Sequence, residues 1–494
     1  MTSLTPHTPV DVSSLVGTRV ILDADATFLD RNFLVGGAPW RLLRLPGSSL
    51  DVAKRWKTGD VVRPGEETFA RTLIRQGFLF PQYSGESSLD DVDVVIPVHN
   101  NTTSLRQLLI QLEGLHVTVV DDGSPDPTFV RDCARQMSAN LVRLEWNLGA
   151  ASARNSGADA TKRPFLCFVD DDVSLANARH VLSLLRAEFQ DPELGACAPR
   201  VRGGEGPGIR DRYERRFGPL DMGPRATIVI PGGPVNYVPT ACLMVRRDAF
   251  GVGFDEELRL GEDVDFIWRL HDHEWLVRYL TSVEVSHRAR TTWRGWWNQR
   301  VGYGRSSSEL ARRHGDRLAP MRADRWTLAA WLSVLVGRPA VALRIMRVGR
   351  DQLKDKLSHQ ADDPKELANQ ILFRTMIRSG GPLSRAVVRT YGLALLVAAI
   401  HPRLRRPALT LFAVGTAWRW RHVRLHVEDI PLAMADDAAY GVGVFRGAWR
   451  TRSLVALTPR ITKSTITLGD VIGVNRLLAQ VPRFARRVTR GPDS

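Results

Sequence analysis

Phe165-Leu166-Cys167-Phe168-Val169-Asp170-Asp171-Asp172 joins a short apolar run to three consecutive carboxylates. The run has the length of a strand buried on both faces of a parallel sheet. Three adjacent carboxylates repel one another and are costly to desolvate. A divalent cation with oxygen ligands relieves both penalties. At the carboxyl end of a parallel strand such a cation sits where open α/β sheets bind ligands. The octapeptide therefore predicts a metal-assisted enzyme acting on a phosphorylated substrate. The competing reading is a solvated turn whose Asp caps a helix before Leu175.

Working outward, residues 92–98, 117–120 and 141–144 are further β-rich runs, with helix-length segments at 104–112 and 126–139 between them. Strands alternating with helices predict a parallel, doubly wound α/β sheet. Three of the four strand ends carry Asp or Asn, which lines one sheet edge with polar groups.

The 494 residues are enough for two to four domains, and 44% hydrophobic with 24% charged residues describes a globular chain. The net charge of +15 favours an anionic partner: nucleic acid, an acidic lipid surface or a phosphorylated ligand. Cys133, Cys167, Cys197 and Cys242 are far apart, with no CxxC pair, and read as buried small hydrophobes in a reducing compartment. No basic segment followed by an apolar one marks a secretory leader at the N-terminus.

Residues 1–18 read as a disordered polar tail and 19–83 as a small domain. In it, 19–22 and 27–29 suggest a hairpin around Asp23 and Asp25, and 40–45 a helical stretch after Gly36-Gly37-Ala38-Pro39. Residues 66–76 suggest a helix closed by Gly77, and 78–83 a short strand or linker. The polar segment 84–91 separates this unit from a catalytic region at 92–305. Residues 306–494 read as a helical, Arg-rich region, and the apolar stretches 387–400 and 407–418 flank His401-Pro402-Arg403-Leu404-Arg405-Arg406. Each is shorter than the roughly 20 residues needed to cross a bilayer. They read either as a buried helical hairpin or as an interfacial hairpin whose arginines meet anionic lipid, at the inner face of the cell membrane.

Four further motifs carry chemistry. In Ile96-Pro97-Val98-His99-Asn100, Pro97 stiffens a strand exit into a flat wall for a base or ring. In Val119-Val120-Asp121-Asp122-Gly123-Ser124, a carboxylate at a strand end can accept from a base or ribose, unless this is an ordinary Asp-Gly turn. The small residues of Asn147-Leu148-Gly149-Ala150-Ala151-Ser152-Ala153-Arg154-Asn155-Ser156-Gly157 let a helix start approach a ligand, with Arg154 able to fork onto a diphosphate. In Gly261-Glu262-Asp263-Val264-Asp265-Phe266, an acidic pair opens an amphipathic helix. One carboxylate there can take a proton from an acceptor hydroxyl, or the pair only complements the helix dipole.

Taken together and in this order, IPVHN, VVDDGS, NLGAASARNSG, FVDDD and GEDVDF resemble the family-2 glycosyltransferases over about residues 92–305. The resemblance implies the GT-A nucleotide-diphospho-sugar transferase fold and a nucleotide-sugar donor. It implies Pro97, Asp121, Asp122, Arg154 and Asp170 as nucleotide-sugar-binding residues, with Asp122 favoured over Asp121 for the base. Asp170 and Asp172 match an Asp-x-Asp motif for Mg2+ or Mn2+, with Asp172 favoured as the direct ligand; His287 matches a position facing the metal or diphosphate. Asp263 matches the catalytic base and Glu262 its orienting neighbour, for inverting transfer. Asp171 is left to solvent or to a helix cap. A Gln-x-x-Arg-Trp motif of processive synthases is absent from the sequence; Trp296-Trp297-Asn298-Gln299-Arg300 is the nearest stretch, with aromatics able to stack a sugar.

Residues 19–83 resemble a PqqD-like winged-helix domain, on Leu22-Asp23-Ala24-Asp25, on Gly36 to Leu45 and on Leu73 to Leu79. Relatives of that kind bind the leader of a ribosomally made peptide by added strand pairing. The whole arrangement is similar to the mycofactocin-system glycosyltransferases. That resemblance implies glucose units built into an oligoglucan on a peptide-derived redox cofactor. Competing readings are a membrane-docked transferase for cell-wall polysaccharide of the rhamnan type, an inactive sugar-nucleotide scaffold, and a nucleic-acid-binding protein. The last is disfavoured, because Asp and Glu offset the basic residues of the front domain.

Overall fold

The computed structural model describes residues 12–100, 102–204, 206–288, 292–335, 338–421 and 426–462. Its centre is a nine-stranded sheet. From one edge the strands run Asn140–Leu144, His116–Asp122, Val92–Val98, Phe165–Val169, Cys242–Arg246, Leu194–Gly203, Leu276–His287 and Val173–Ser174, and Thr227–Ile228 also pairs with Leu276–His287. The first four are parallel, as the alternating pattern predicts. Cys242–Arg246 is antiparallel to both of its neighbours, so the sheet is mixed rather than wholly parallel. That strand is as apolar as the others, and burial on both faces leaves no trace of strand direction in its sequence.

Alternate residues of the central strands enter two separate cores. Val94, Ile96, Cys167, Val169 and Met244 face one side, while Val95, Leu166, Phe168, Leu243 and Val245 face the other. All four cysteines are free and buried.

The front unit differs from its expected secondary structure. Arg19–Leu22 pairs with Asp60–Val61 and Leu79–Gln82, not with Thr27–Leu29. Thr27–Leu29 pairs instead with Phe33–Gly36, which pairs with Arg41–Arg44. Residues 40–45 are therefore mainly strand, not helix: Leu42 and Leu43 alternate into different cores, a period-two pattern that a helix cannot provide. Helices Gly47–Lys57 and Glu67–Arg75 complete the unit, with Gly77 in a left-handed conformation after the second. Within the expected tail 1–18, the described residues carry a single 3-10 turn at Val12–Leu15, with Leu15 fully buried.

The unit is anchored to the catalytic region by ion pairs to two buried carboxylates, Asp191 and Glu193. Arg71 contacts Asp191 at 3.0 Å and Glu193 at 3.5 Å, Arg75 contacts Glu193 at 2.8 Å, and Arg278 reaches Asp191 at 2.6 Å. On its other side, Leu29, Phe33, Val35 and Leu42 pack against Leu353, Leu357, Leu367 and Ile371 of the C-terminal helices.

Trp293–His314 is one continuous helix that runs through residue 305. After it come Arg325–Leu335, Pro339–Leu357, Pro364–Arg385, Gly392–Ala398, Pro402–Trp420 and Asp429–Thr451. Among the described residues, no helix is long and apolar enough to cross a membrane.

Candidate active site

The site forms where the parallel strands end. Gly149, at φ +98°, turns the chain into the helix Ala150–Asp159. A Cβ at Gly157 would come within 2.3 Å of Val95 and 2.9 Å of Val120, so the helix lies directly on the sheet only because that residue is glycine. The helix N-terminus then opens on a cavity of about 340 Å³, lined by Pro97, His99, Asp122, Gly149, Arg154 and Asp170 with Asp171 and Asp172. Unsatisfied backbone N–H groups at a helix start, next to a guanidinium, favour phosphate oxygens.

The two strand-end carboxylates of 121–122 separate in role. Asp121 is fully buried, ion-paired to Arg143 and accepting from the Ser124 N–H at 2.9 Å. Asp122 faces the cavity and accepts from the Leu148 and Gly149 N–H groups at 2.7 and 2.9 Å, which fixes the loop leading into the helix. His99 Nδ1 lies 2.7 Å from the Asp122 carbonyl oxygen.

Arg154, 3% exposed, is the centre of the charge arrangement. Its Nη2 donates to Asp170 Oδ1 at 2.6 Å and its Nη1 to Glu262 Oε1 at 3.0 Å. Glu262 and Asp263 open the helix Glu262–Asp272, entered through Gly261 in a left-handed conformation. Removal from water, followed by the charge of Glu262, raises the Asp263 carboxyl from its usual range to about 7. Asp263 Oδ1 accepts from the Val264 N–H at 2.8 Å. Asp265, two residues on, is held by Arg269 at 2.7 Å and His314 at 2.8 Å.

Asp172 and His287 meet across the neighbouring strands, Oδ2 to Nε2 at 3.3 Å. Among the described residues no three His, Cys, Asp or Glu side chains form a ready-made metal cage. The pair nevertheless suits Mg2+ or Mn2+, which commonly take one or two protein ligands and complete their shell with substrate phosphate and water. Asp170 and Glu262 pair with the buried guanidinium of Arg154, Asp172 lines the same cavity and Asp263 lies within its electrostatic reach, an acidic surplus that a cation would offset.

The structure thus brings together Pro97, Asp122, Arg154, Asp170, Asp172, Glu262, Asp263 and His287, and sets Asp121 behind the cavity wall. Two expectations change. Of the two roles expected for Asp171, the helix cap is overturned: Asp171 is partly exposed and lines the cavity, and the next helix is capped by Asn177, whose side chain accepts from the His180 N–H. Trp296 is 2% exposed, donating to Glu214 at 2.6 Å, so it cannot stack a sugar. Neither His99 nor Arg143 is marked as a site residue by its local sequence. His99 stands inside a quoted motif, whereas Arg143 is found only through its register opposite Asp121 on the adjacent strand.

Residues 93–254 match the family described as Glycosyl transferase family 2. Over 455 residues the chain is 34% identical to the "Pre-mycofactocin glycosyltransferase" of Mycobacterium tuberculosis, covering 87% of this chain and 95% of that protein. Over 255 residues it is 31% identical to the "N-acetylglucosaminyl-diphospho-decaprenol L-rhamnosyltransferase" of the same organism, covering 44% of this chain and 81% of that one. Among solved structures, the mannosyltransferase PcManGT from Pyrobaculum calidifontis, in complex with GDP-Man and Mn2+, is similar over 74% of this chain and 91% of that chain, at 17% identity and a TM-score of 0.42. The chain belongs to the family-2 glycosyltransferases and, within them, to those of the mycofactocin system.

Proposed function

We propose that the protein transfers a hexose, glucose from UDP-glucose, with inversion onto an acceptor hydroxyl and builds an oligoglucan on the peptide-derived cofactor mycofactocin. The observation that carries this reading is the arginine held between Asp170 on the donor side and Glu262 beside the base. In the proposed reaction the Asp263 carboxylate takes the proton of the acceptor hydroxyl. The hydroxyl oxygen forms a bond to the anomeric carbon, and the bond from that carbon to the β-phosphate oxygen breaks, its electron pair leaving with UDP. Arg154 and the start of the helix Ala150–Asp159 bear on the developing diphosphate charge. Pro97 and Asp122 flank the nucleoside, and Asp121 supports them from behind through Ser124. Asp172, His287 and Asp170 are the residues that would hold Mg2+ or Mn2+, which supplies Lewis-acid charge to the diphosphate when bound. Glu262 positions Arg154 and raises the proton affinity of its neighbour.

The acceptor reading is supported by the extent of the likeness to the mycobacterial protein, 87% of this chain and 95% of that one. The front unit is read as a PqqD-like module for a peptide-derived acceptor. The helical region is read as docking on the inner face of the cell membrane: Val397 is 67% exposed, Ile400 74% and Leu404 50%, beside Arg403, Arg405 and Arg406. Exposed apolar residues flanked by arginine suit an anionic interface.

The test is to incubate the protein with Mg2+ or Mn2+, separate nucleotide sugars and pre-mycofactocin, and to read product mass. Whole hexose increments from UDP-glucose support the reading. Transfer only from a deoxyhexose donor to a polyprenyl-linked sugar would replace it with the cell-wall alternative.

A further inference from the structure

A second polar cavity, of about 260 Å³, lies between the loop that precedes the Glu262–Asp272 helix and two C-terminal helices. Its walls carry Arg259, Arg305, Arg312, Arg313 and Arg450 against Glu257 and Glu309. Arg313 is neutralised by Asp255 at 2.7 Å and Glu257 at 3.2 Å, and Arg450 lies 4.0 Å from Glu309. Arg259, Arg305 and Arg312 have no ion pair among the described residues. Three uncompensated guanidinium groups around one hollow repel each other, and a multiply charged oxyanion is the ligand that relieves this.

The backbone builds this convergence. A Cβ at Gly304 would stand 2.0 Å from the Tyr440 carbonyl oxygen, and one at Gly447 2.6 Å from that of Arg305. The helices Trp293–His314 and Asp429–Thr451 therefore touch backbone to backbone, which sets Arg305 and Arg312 facing the end of the second helix at Arg450 and Thr451. Arg259 closes the donor side: its Nη1 lies 3.4 Å from Asn147 Oδ1 and 2.8 Å from where a Cβ at Gly149 would be. The hollow is thus next to the loop that lines the donor cavity, yet shares no lining residue with it.

We propose that this arginine hollow is a binding site for a phosphate group, distinct from the donor diphosphate position and gripped by Arg259, Arg305 and Arg312. The phosphate belongs either to a soluble ester or to a lipid headgroup, and the reading does not depend on which sugar is transferred. The full chain is titrated with glycerol 1-phosphate and, separately, with vesicles of phosphatidylglycerol or of phosphatidylcholine alone. Wild type is compared with R312Q, an exposed position, and with R305Q/R312Q; UDP affinity is measured on the same samples as a control for folding. The expected result is binding to at least one phosphate probe that weakens fivefold or more in R312Q and further in the double variant, with UDP affinity unchanged. Binding to glycerol 1-phosphate identifies a soluble ester; vesicle binding without it that is specific for phosphatidylglycerol and weakened by R312Q identifies a lipid headgroup in the hollow. Wild type that binds neither probe, R312Q that binds as well as wild type, or a parallel loss of UDP affinity overturns the assignment.

Discussion

Arg154 donates to Asp170 across 2.6 Å while its other terminal nitrogen holds Glu262, so one buried side chain ties the end of the donor strand to the helix whose first turn carries the proposed base. Replacing Arg154 by Met would strand two carboxylates beside each other and remove the cation from the diphosphate position. The expected outcome is a loss of at least about 100-fold in kcat/KM, since donors aimed at developing charge contribute roughly 3 to 4 kcal/mol. Steady-state kinetics with varied donor checks this; a loss below tenfold would contradict the role.

The raised Asp263 carboxyl predicts how the rate responds to pH. Transfer should fall on the acid side with an apparent pKa of about 7, because only the ionised form can take a proton. The sign for stability is opposite. The folded-state value lies above the unfolded one, so the group's contribution is full below about pH 4 and lost as pH rises through about 7. Asp263→Asn should therefore be relatively more stable than wild type at pH 8 than at pH 4, as read from denaturant midpoints at the two pH values.

Asp172 and His287 predict a metal-linked donor affinity. Asp172→Ala should abolish the part of UDP binding that depends on Mg2+ or Mn2+, and His287→Ala should weaken it by about tenfold, in the range seen when a ligand's support is removed. Calorimetric titration of UDP with metal and with a chelator decides it; metal-dependent binding retained in Asp172→Ala would remove the residue from the metal site.

The front unit should be inseparable from the catalytic sheet. Arg71→Ala leaves Asp191 and Glu193 buried without that partner and should cost roughly 3 to 5 kcal/mol in unfolding free energy. Burial acts to raise the Asp191 carboxyl, but Arg278 and Arg71 outweigh it and hold the group below its usual range. Its contribution is therefore present above about pH 4 and lost as pH falls through the depressed value. A variant with unchanged denaturant midpoint would show that the contact is incidental.

The interfacial reading of the helical region predicts that the protein co-sediments with vesicles containing phosphatidylglycerol, and that Val397→Asp/Ile400→Asp releases it. These positions are exposed, so the change should leave thermal stability near that of wild type. Equal sedimentation of the variant would place the contact elsewhere.

The parallel strands and the acidic edge were legible because buried strands are short apolar runs and because carboxylates at their ends have no structural excuse to cluster. Asp170, Asp172 and Asp263 each stand at an element boundary visible in the sequence. Three features were not legible. The strand Arg41–Arg44 follows a Gly-Gly-Ala-Pro turn whose local sequence favours no single element, and its identity depends on pairing with Phe33–Gly36. The ion pair of Asp121 with Arg143 depends on strand register, which no local pattern encodes. Trp296 looked like a sugar platform, but it is claimed by Tyr213, Glu214 and Leu432, residues distant in sequence.

Asp263 is proposed to take the acceptor proton while the donor is held elsewhere. The direct measurement is transfer rate and UDP affinity in the same preparation of wild type and Asp263→Asn. The expected result is a transfer rate lowered by at least about 1,000-fold, with UDP affinity within about twofold of wild type. Transfer retained in Asp263→Asn, or lost together with UDP affinity, would contradict it.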